Sequence, residues 1–398
     1  MIRSSKLSTK FSNAEKSEKI NLFIDEYQSV VRQFVELLWK EDKISSLLPK
    51  EITSKVSSWL SSRAIQCAGK QASGIVRGSR QKQKQRLWKI NDFNERGMFK
   101  KARVLQKKYD ETKVSMPVID GVCPELDERF VKQDFNNTTS FDGWITLTSL
   151  GNKYKIQIPV RQTKHFNGIN GTKLKGIRLS KKWIAFNFSI PDIEKRTEGS
   201  ILGIDIGKTT ALSCSNGITS KEDIHGWTLN KIIDKLSQKK KGSNEFKRVQ
   251  THRTNHVNWT VNQLNFNGVK QINIERIRYL RKGFRTSRKL SHWTYTEIFG
   301  KLKSKSEELG VQVNELNPTY TSQRCSVCGW VRRDNRRGKL FKCTSCGHTQ
   351  DADLNASSNI SLNLPSISKA ERLKHKNRTG FYWIVSGQQP IVADTQLA

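Results

Sequence analysis

The segment SILGIDIGKTT, from Ser200 to Thr210, sets our expectation for the fold of the second half of the chain. Its apolar residues surround Asp205 and predict a buried strand with a carboxylate in the middle. Because an unpaired carboxylate is costly to bury, Asp205 needs a cation or strong hydrogen-bond donors nearby. Gly207 then permits a turn before a second apolar stretch, which predicts a hairpin. By itself, Asp205 fits two interpretations, a catalytic residue or a strand-end aspartate that caps the turn.

Two more acidic residues follow in a region whose pattern is α/β from about residue 199 onward. Glu275 ends the short apolar strand predicted for residues 269–275, and functional sites of open α/β sheets collect at strand ends. Asp353 lies in DADLNASSNI, residues 351–360, which predicts a helix. An acid there also fits a helix cap or first turn, and Asp351 competes for either role.

The three acids together predict a metal site. Carboxylates from two strands and one helix can converge on two divalent cations about 3.5–4 Å apart. Mg²⁺ is the expected ion, because it prefers hard oxygen ligands and retains several of its water molecules. In such a site one ion activates a water molecule for in-line attack, and the other stabilises the leaving 3′ oxygen.

Four of the seven cysteines form two Cys-x-x-Cys pairs near the C-terminus. Cys325 and Cys328 are separated by 14 residues from Cys343 and Cys346, and a glycine follows each pair. This spacing is typical of zinc ribbons, in which two knuckles place four thiolates tetrahedrally around a structural Zn²⁺. The alternatives are redox pairs or thiols without metal. The cysteine distribution also favours a reducing compartment over a disulfide framework, and we expect a cytoplasmic location.

The charge of the chain indicates a polyanionic partner. Its 398 residues include 71 Lys and Arg against 36 Asp and Glu, a formal net charge of +35. Such self-repulsion destabilises a compact protein unless a polyanion neutralises it, and nucleic acid is the expected partner. A ribosomal or generically basic protein is the alternative. We expect neither a membrane partner nor a secretory signal, because lipidation signals and apolar runs of about 18 residues are absent from the sequence.

Basic residues with interspersed aromatic residues are candidates for nucleic-acid contacts, because cations bind phosphates and aromatic rings stack on bases. The candidates in the first half of the chain are Arg77, Arg80, Lys82, Lys84, Arg86 and Lys89. Those that follow the second acid are Arg276, Arg278, Arg281, Arg285 and Arg288. Those between the two cysteine pairs are Arg332, Arg333, Arg336 and Arg337, with Lys339 beside them. For any one of these residues the alternative is a solvated surface position.

The first half of the chain has a different pattern. Between about residues 16 and 110, apolar residues recur at spacings of three and four, which predicts helices. Between about 111 and 196, apolar and polar residues alternate, and clusters of Gly and Asn mark turns between short strands. This alternation predicts a small barrel or sandwich. The opening residues, Met1 to Ser12, are expected to supply a further strand, with the helical region as an insertion.

The order of five motifs resembles that of the TnpB family of transposon-encoded nucleases and of their descendants, the miniature type V CRISPR effectors. The motifs are GIDIG at 203–207, NIE at 273–275, TSQRCSVCG at 321–329, CTSCG at 343–347 and DADLNASSNI at 351–360. The resemblance implies that Asp205, Glu275 and Asp353 form the catalytic triad, since the Asp-x-Asn-Ala spacing selects Asp353 over Asp351. It also implies that the four paired cysteines bind zinc.

The resemblance further implies a multidomain α+β fold. An RNase H-like (RuvC) α/β nuclease domain with an inserted four-cysteine zinc ribbon is expected to follow a wedge β-barrel that carries a helical recognition insertion. The expected boundaries are 1–15 for the first wedge strand, 16–110 for the helical recognition domain, 111–196 for the wedge barrel, 197–320 and 351–365 for the two nuclease parts, 321–350 for the zinc ribbon, and 366–398 for a tail expected to be mobile.

The activity implied by the resemblance is RNA-guided cleavage of double-stranded DNA beside a short adjacent motif, with both strands cut in one RuvC site. Guide RNA and target DNA are then the partners, with structural zinc and two catalytic magnesium ions as cofactors. A homodimer that holds one guide is compatible with so short a chain. The alternatives are a nuclease-inactive RNA-guided repressor, which would lack one acid, and a DNA transposase, because RNase H-like acids also serve strand transfer.

Overall fold

The computed structural model describes residues 1–45, 48–111, 115–135, 139–148, 150–151, 154–207, 209–277, 287–362, 364–365, 367 and 379–384. The chain divides into two compact units, Met1–Asp192 and Ile193–Ala398, each with its own hydrophobic core. Within the described residues, no helix combines the length and the apolar character that a membrane span requires.

The first unit opens with a strand and a helical region. In chain order these are β1 (Ile2–Ser8), α1 (Ala14–Trp39), α2 (Lys50–Thr53), α3 (Ser62–Glu95) and α4 (Phe99–Glu111). Helix α1 begins where Asn13 Oδ1 accepts a hydrogen bond from Lys16 N at 2.9 Å, a regular N-cap. Its apolar residues at helical spacing, including Phe23, Tyr27 and Phe34, are fully buried. One apolar face of α1 therefore packs against α3.

The rest of the first unit consists mainly of short strands. These are β2 (Glu125–Leu126), β3 (Val131–Asp134), β4 (Gly143–Leu147), β5 (Ile156–Val160), β6 (Thr172–Leu179) and β7 (Trp183–Ser189), with helix α5 (Lys164–Asn167) after β5. They form two antiparallel sheets with the orders β1-β7-β6-β2 and β3-β4-β5. Strand β1 pairs with β7 from Ile2 opposite Ser189 to Ser8 opposite Trp183. The opening residues thus supply the additional strand expected from the sequence, and the helical region follows it as an insertion.

The sheet of the second unit positions two of the predicted acids. Its elements are β8 (Ser200–Asp205), β9 (Ser213–Cys214), α6 (Leu229–Gln238), α7 (Asn244–Asn262), β10 (Val269–Glu275), α8 (Arg288–Ser291), α9 (Tyr295–Glu308) and β11 (Gln312–Leu316). The strand order is β11-β10-β8-β9; β8, β10 and β11 are parallel, and β9 is antiparallel to β8. Since Ile204 pairs with Ile274, the residues that follow them, Asp205 and Glu275, lie at the same edge of the sheet.

The remaining elements follow β11. They are β12 (Trp330–Val331), a 3₁₀ turn (Arg333–Asn335), β13 (Arg336–Arg337), β14 (Leu340–Lys342), β15 (Thr349–Asp351), α10 (Ala352–Ser361) and β16 (Phe381–Tyr382). Strands β13, β14 and β15 form an antiparallel sheet, and β12 pairs with β16. The expectation of a mobile tail therefore does not hold for β16, because its backbone pairs with the ribbon. Residues 366, 368–378 and 385–398 of that tail lie outside the described residues.

Candidate functional site

Asp205, Glu275 and Asp353 line one cleft of the second unit, with a volume of about 470 Å³. Asp205 and Glu275 are the last residues of the neighbouring strands β8 and β10, and Asp353 lies in the first turn of α10. The parallel sheet and one helix therefore bring together the three acids that the sequence singles out. The basic side chains of Arg336 and Lys339 line the same cleft.

Helix α10 approaches β8 closely because residue 203 is a glycine. A Cβ atom on Gly203 would collide with Ser357 O and would lie 3.1 Å from Ile360 C. The buried Asn273 of β10 holds the C-terminal end of the same helix, because its Nδ2 donates to Ile360 O at 2.9 Å. These contacts set the position of Asp353 relative to the two strand-end acids.

Asp351 and Asp353 have different environments at the start of α10. The Oδ1 atom of Asp351 accepts hydrogen bonds from Asp353 N at 2.9 Å and from Leu354 N at 3.1 Å, so Asp351 is the N-cap. Asp351 is otherwise exposed. Asp353, in contrast, is 5% exposed and lines the cleft. The geometry thus separates two aspartates whose roles the residue pattern alone leaves open.

Burial and mutual repulsion make two of the acids easier to protonate. Burial, and then the charge of Asp353, raises the pKa of Asp205 to about 6, although Arg336 and Lys339 lower it. Burial, and then the charge of Asp205, raises the pKa of Glu275 to about 7. A divalent cation relieves such repulsion, because it binds carboxylates in their charged form. The three carboxylates supply the hard oxygen ligands that Mg²⁺ prefers, so the residues present fit this ion.

Two cations of the ribbon contact Asp353. Arg336 Nη2 donates to Asp353 Oδ1 at 2.9 Å. Lys339 Nζ forms an ion pair with Asp353 Oδ2 and donates to Thr210 Oγ1 at 2.6 Å. Strand β13 and the turn that follows it therefore supply the two cations that neutralise Asp353.

The four predicted zinc ligands also lie together, with their sulfur atoms all within 4.8 Å of one another. Cys325 Sγ is 3.7 Å from Cys346 Sγ, and Cys328 Sγ is 3.6 Å from Cys343 Sγ. A tetrahedral Zn²⁺ with Zn–S bonds of about 2.3 Å separates its sulfur ligands by about 3.8 Å. The donor set and its dimensions therefore fit a structural zinc ion.

Three residues to which the sequence assigned no role hold Glu275 and the turn that follows Asp205. Thr321 Oγ1 donates to Glu275 Oε1, and Tyr295 Oη donates to the main-chain carbonyl of Glu275. Trp293 Nε1 donates to Gly207 O at 3.2 Å, in the turn that follows β8. No local spacing predicts these contacts, because each joins segments that are far apart in the sequence.

The basic residues predicted in α3 fall in different environments. Arg77, Lys82, Lys84 and Lys89 are exposed, and Arg86 is half-buried. Trp88 lies among them and is 65% exposed, so its ring is accessible for stacking. Arg80 makes hydrogen bonds within the first unit instead, because its guanidinium donates to Trp39 O at 2.8 Å and to Glu41 O at 2.6 Å. It thereby satisfies carbonyl groups at the end of α1.

The other predicted basic residues also differ in their exposure and in their contacts. Arg276 and Arg288 are exposed, whereas Arg278, Arg281 and Arg285 lie outside the described residues. In the ribbon, Arg333 and Arg337 are exposed, and Arg332 forms an ion pair with Asp334 at 3.2 Å. Arg336 differs from its neighbours because it faces the acid cluster.

Comparisons with known proteins agree with the motifs. Residues 295–360, which contain α9, the ribbon and the acid-bearing part of α10, match the Cas12f1-like TNB domain family. Over 91 residues the chain is 46% identical to the CRISPR-associated endodeoxyribonuclease Cas12f1 of Sulfoacidibacillus thermotolerans, covering 22% of this chain and 21% of that protein. Over 73 residues it is 36% identical to a TnpB-like protein of Aquifex aeolicus, covering 18% and 24% of the two chains. The resemblance to TnpB proteins and miniature type V effectors is therefore confirmed.

A solved structure supports the mixed α/β multidomain fold. The cryo-EM structure of CasPhi-2 (Cas12j) bound to crRNA and phosphorothioate-DNA matches 91% of both chains with a TM-score of 0.51 and 11% sequence identity. At this identity the similarity concerns the fold alone. The sequence matches span less than a quarter of the length of either curated relative, 21% for the Cas12f1 protein and 24% for the TnpB-like protein.

Proposed function

We propose that the protein is an RNA-guided DNA endonuclease that cleaves double-stranded DNA beside a short adjacent motif in one RuvC-like site. The observation that carries this proposal is the cleft in which Asp205, Glu275 and Asp353 converge from two parallel strand ends and one helix. The name endodeoxyribonuclease given to a relative that matches 91 residues of the chain supports the same reaction.

The three carboxylates are the proposed ligands of two Mg²⁺ ions. Such ions would supply an activated water molecule for in-line attack on a phosphodiester and would stabilise the leaving 3′ oxygen. Asp205 and Glu275 would hold the ions as carboxylates, and the raised pKa of each would make metal binding compete with protonation. Thr321 orients Glu275 by donating to one of its two carboxylate oxygens.

Arg336 and Lys339 are proposed to contact the phosphate backbone of the bound strand. Both line the cleft and are paired with Asp353. If a divalent cation bound Asp353, the guanidinium of Arg336 and the ammonium of Lys339 could exchange this carboxylate for a phosphate oxygen. Arg336 suits this role, because its fork of donors matches a phosphate group.

The first unit is proposed to be the wedge barrel with its helical recognition insertion, which together hold guide RNA and DNA. Exposed Lys82, Lys84 and Lys89 around Trp88 supply cations for phosphates and a ring for stacking. In such a system sequence specificity comes from guide pairing, whereas the protein recognises duplex shape and the short adjacent motif.

The experiment that tests the proposal is a cleavage assay on the protein purified with its coexpressed RNA. Linear DNA that matches the RNA is incubated with the complex and Mg²⁺. We expect breaks with the wild type and with Asp351→Asn, and none with Asp205→Asn. Asp351→Asn is the matched control, because asparagine caps a helix as well as aspartate does. Absence of breaks with the wild type, or equal cleavage by Asp205→Asn, would refute the nuclease.

The same assay separates the alternatives. A repressor would retard the matching DNA without breaking it, and a transposase would yield strand-transfer products. Sequencing of the RNA that copurifies with the protein identifies the guide, and a CRISPR repeat within it would distinguish an effector from a transposon protein. The mass of the complex in solution tests the proposed homodimer.

A further inference from the structure

Arg324, the residue before the first zinc ligand, is fully buried in the second unit. It is 0% exposed and is the largest fully buried side chain among the described residues. An arginine is seldom buried completely, because its charge and its donors must all be satisfied. Arg324 is neither one of the four cysteine ligands nor a residue that lines the acid cleft.

The guanidinium of Arg324 connects three parts of the unit. Its Nε donates to Trp383 O at 2.7 Å, one residue after β16. One terminal nitrogen, Nη1, donates to Cys325 O at 3.1 Å in the first knuckle and to Asn359 Oδ1 at 2.7 Å in α10. A single side chain therefore links the zinc knuckle, the C-terminal strand and the helix that carries Asp353.

The main chain of the same residue continues this network. The carbonyl of Arg324 accepts hydrogen bonds from Asn355 Nδ2 at 2.8 Å and from Asn359 Nδ2 at 2.7 Å. Asn355 Oδ1 in turn accepts from Ser326 N at 3.0 Å. Both asparagines are fully buried in α10. Asp353 precedes Asn355 by two residues, so the knuckle and the acid belong to one hydrogen-bonded assembly.

Zinc binding would place a charge next to this assembly. Four thiolates carry more negative charge than one Zn²⁺ offsets, so an occupied site is a net anion. Arg324 precedes Cys325, and its guanidinium contacts the main-chain carbonyl of that zinc ligand, so the cation lies at the first knuckle. Charges and donors next to metal ligands fix the orientation of those ligands and increase metal affinity.

We propose that Arg324 is a positioning residue that couples zinc binding to the placement of Asp353. Its charge compensates the zinc–thiolate group, and its hydrogen bonds to α10 hold Asp353 where it can ligate a divalent cation. The second half of this statement rests on the proposed function, because it treats Asp353 as a metal ligand. The first half depends only on the four cysteines.

The charge is tested by zinc competition with a chromophoric chelator on the full-length protein. Arg324→Met removes the charge, Arg324→Lys retains it, and Lys342→Met removes an exposed ribbon cation as the matched control. We expect about 10- to 100-fold weaker zinc binding by Arg324→Met, close to wild-type affinity for Arg324→Lys, and no change for Lys342→Met. A purely structural arginine would give equal losses with Met and Lys. That result, or unchanged zinc binding by Arg324→Met, would overturn the compensating charge.

The positioning is tested by Mn²⁺ binding, measured by electron paramagnetic resonance on zinc-saturated protein. Asn359→Ala removes the hydrogen bonds in both directions between residue 359 of α10 and Arg324, and the bond to Thr321 O, but leaves the cation. Zinc affinity is therefore expected to stay within about twofold while Mn²⁺ binding weakens by about tenfold. Unchanged Mn²⁺ binding by Asn359→Ala would overturn the coupling. If circular dichroism shows that Arg324→Met does not fold, Arg324→Lys and Asn359→Ala still decide: a loss of zinc affinity by Arg324→Lys then refutes the charge.

The proposed function and the proposed role of Arg324 are contradicted by different results. The proposed metal site is contradicted if the wild type binds no Mn²⁺. It is also contradicted if the wild type and Asp205→Asn bind Mn²⁺ equally well. The zinc competition is independent of that result and still decides whether Arg324 compensates the thiolate charge. Loss of Mn²⁺ binding with Asp205→Asn, combined with wild-type Mn²⁺ binding by every Arg324 and Asn359 variant, refutes only the coupling.

Discussion

Replacement of Asp205 by asparagine should stabilise the metal-free protein at neutral and alkaline pH. Asparagine has almost the same shape but carries no charge to bury. In the folded protein the pKa of Asp205 is raised from the ordinary 3.8 to about 6, first by burial and then by Asp353. The raised pKa means that the folded state disfavours the carboxylate form of Asp205. The contribution of Asp205 to the free energy of unfolding is therefore fully present below about pH 3.8 and is lost as the pH rises through about 6.

The size of the effect follows from this pKa. At about 1.4 kcal/mol per pKa unit, the rise from 3.8 to about 6 corresponds to about 3 kcal/mol of lost stability above pH 7. Asp205→Asn recovers this energy, which for a domain of this size raises the Tm by roughly 6 to 12 °C. Near pH 4 both proteins are uncharged at this position, and the difference should fall below about 1 kcal/mol.

The assay is thermal unfolding at pH 4, 6 and 8 in the presence of a chelator selective for Mg²⁺ over zinc, followed by Mg²⁺ titration at pH 8. Mg²⁺ should stabilise the wild type and leave Asp205→Asn unchanged, since the variant lacks one ligand. Asp351→Asn, which keeps the helix cap, serves as the control and should follow the wild type throughout. A stabilisation by Asp205→Asn that is the same at pH 4 and pH 8, or a destabilisation at pH 8, would show that the buried charge is not its cause.

Three other substitutions test separate parts of the unit. Cys343→Ser should abolish zinc binding, measured by elemental analysis, and lower the Tm by several degrees because the ribbon folds with its metal; an unchanged zinc content would contradict the four-cysteine site. Lys339→Met removes a cation that competes for Asp353, so Mg²⁺ affinity measured by calorimetry should rise about fivefold, the equivalent of about 1 kcal/mol for a half-exposed pair; weaker binding would show that Lys339 supports the metal. Asn273→Leu leaves Ile360 O without its donor and should cost about 1–3 kcal/mol in urea unfolding, with Lys270→Leu, at a half-buried residue of the same strand, as control; equal stability of the two variants would contradict the anchoring role of Asn273.

Local patterns were enough to single out three acids and four cysteines that the fold brings together. Asp205 and Glu275 follow runs of apolar residues, and parallel strands necessarily end at one edge of their sheet. The spacing of the two cysteine pairs predicts a zinc ribbon, and the four sulfur atoms lie close enough together to bind one ion. The choice between Asp351 and Asp353 needed the resemblance, because both positions suit the beginning of a helix equally well.

Long-range contacts account for what the sequence did not predict. Arg336 and Arg337 are adjacent and equally basic, yet strand geometry directs successive side chains to opposite faces, and only Arg336 reaches the cleft. Arg80 lies in a basic stretch that is typical of nucleic-acid contacts, but its guanidinium donates to carbonyl groups at the end of a helix about 40 residues earlier. Strand β16 forms only because its partner, β12, is provided by the ribbon. Such pairings depend on the fold and leave no periodic signal.

The junction between the ribbon and α10 restricts how this region can be engineered. Strand β15 ends at Asp351 and the helix begins at Ala352, with no spacer residue between them. One inserted residue would rotate the start of the helix by about 100° relative to the strand and turn Asp353 away from its partners. The entry side is constrained as well, because Thr321 donates to Glu275 and Arg324 is fully buried just before the first cysteine. Grafted ribbons should therefore keep both the entry from Thr321 to Arg324 and the exit at Asp351 unchanged.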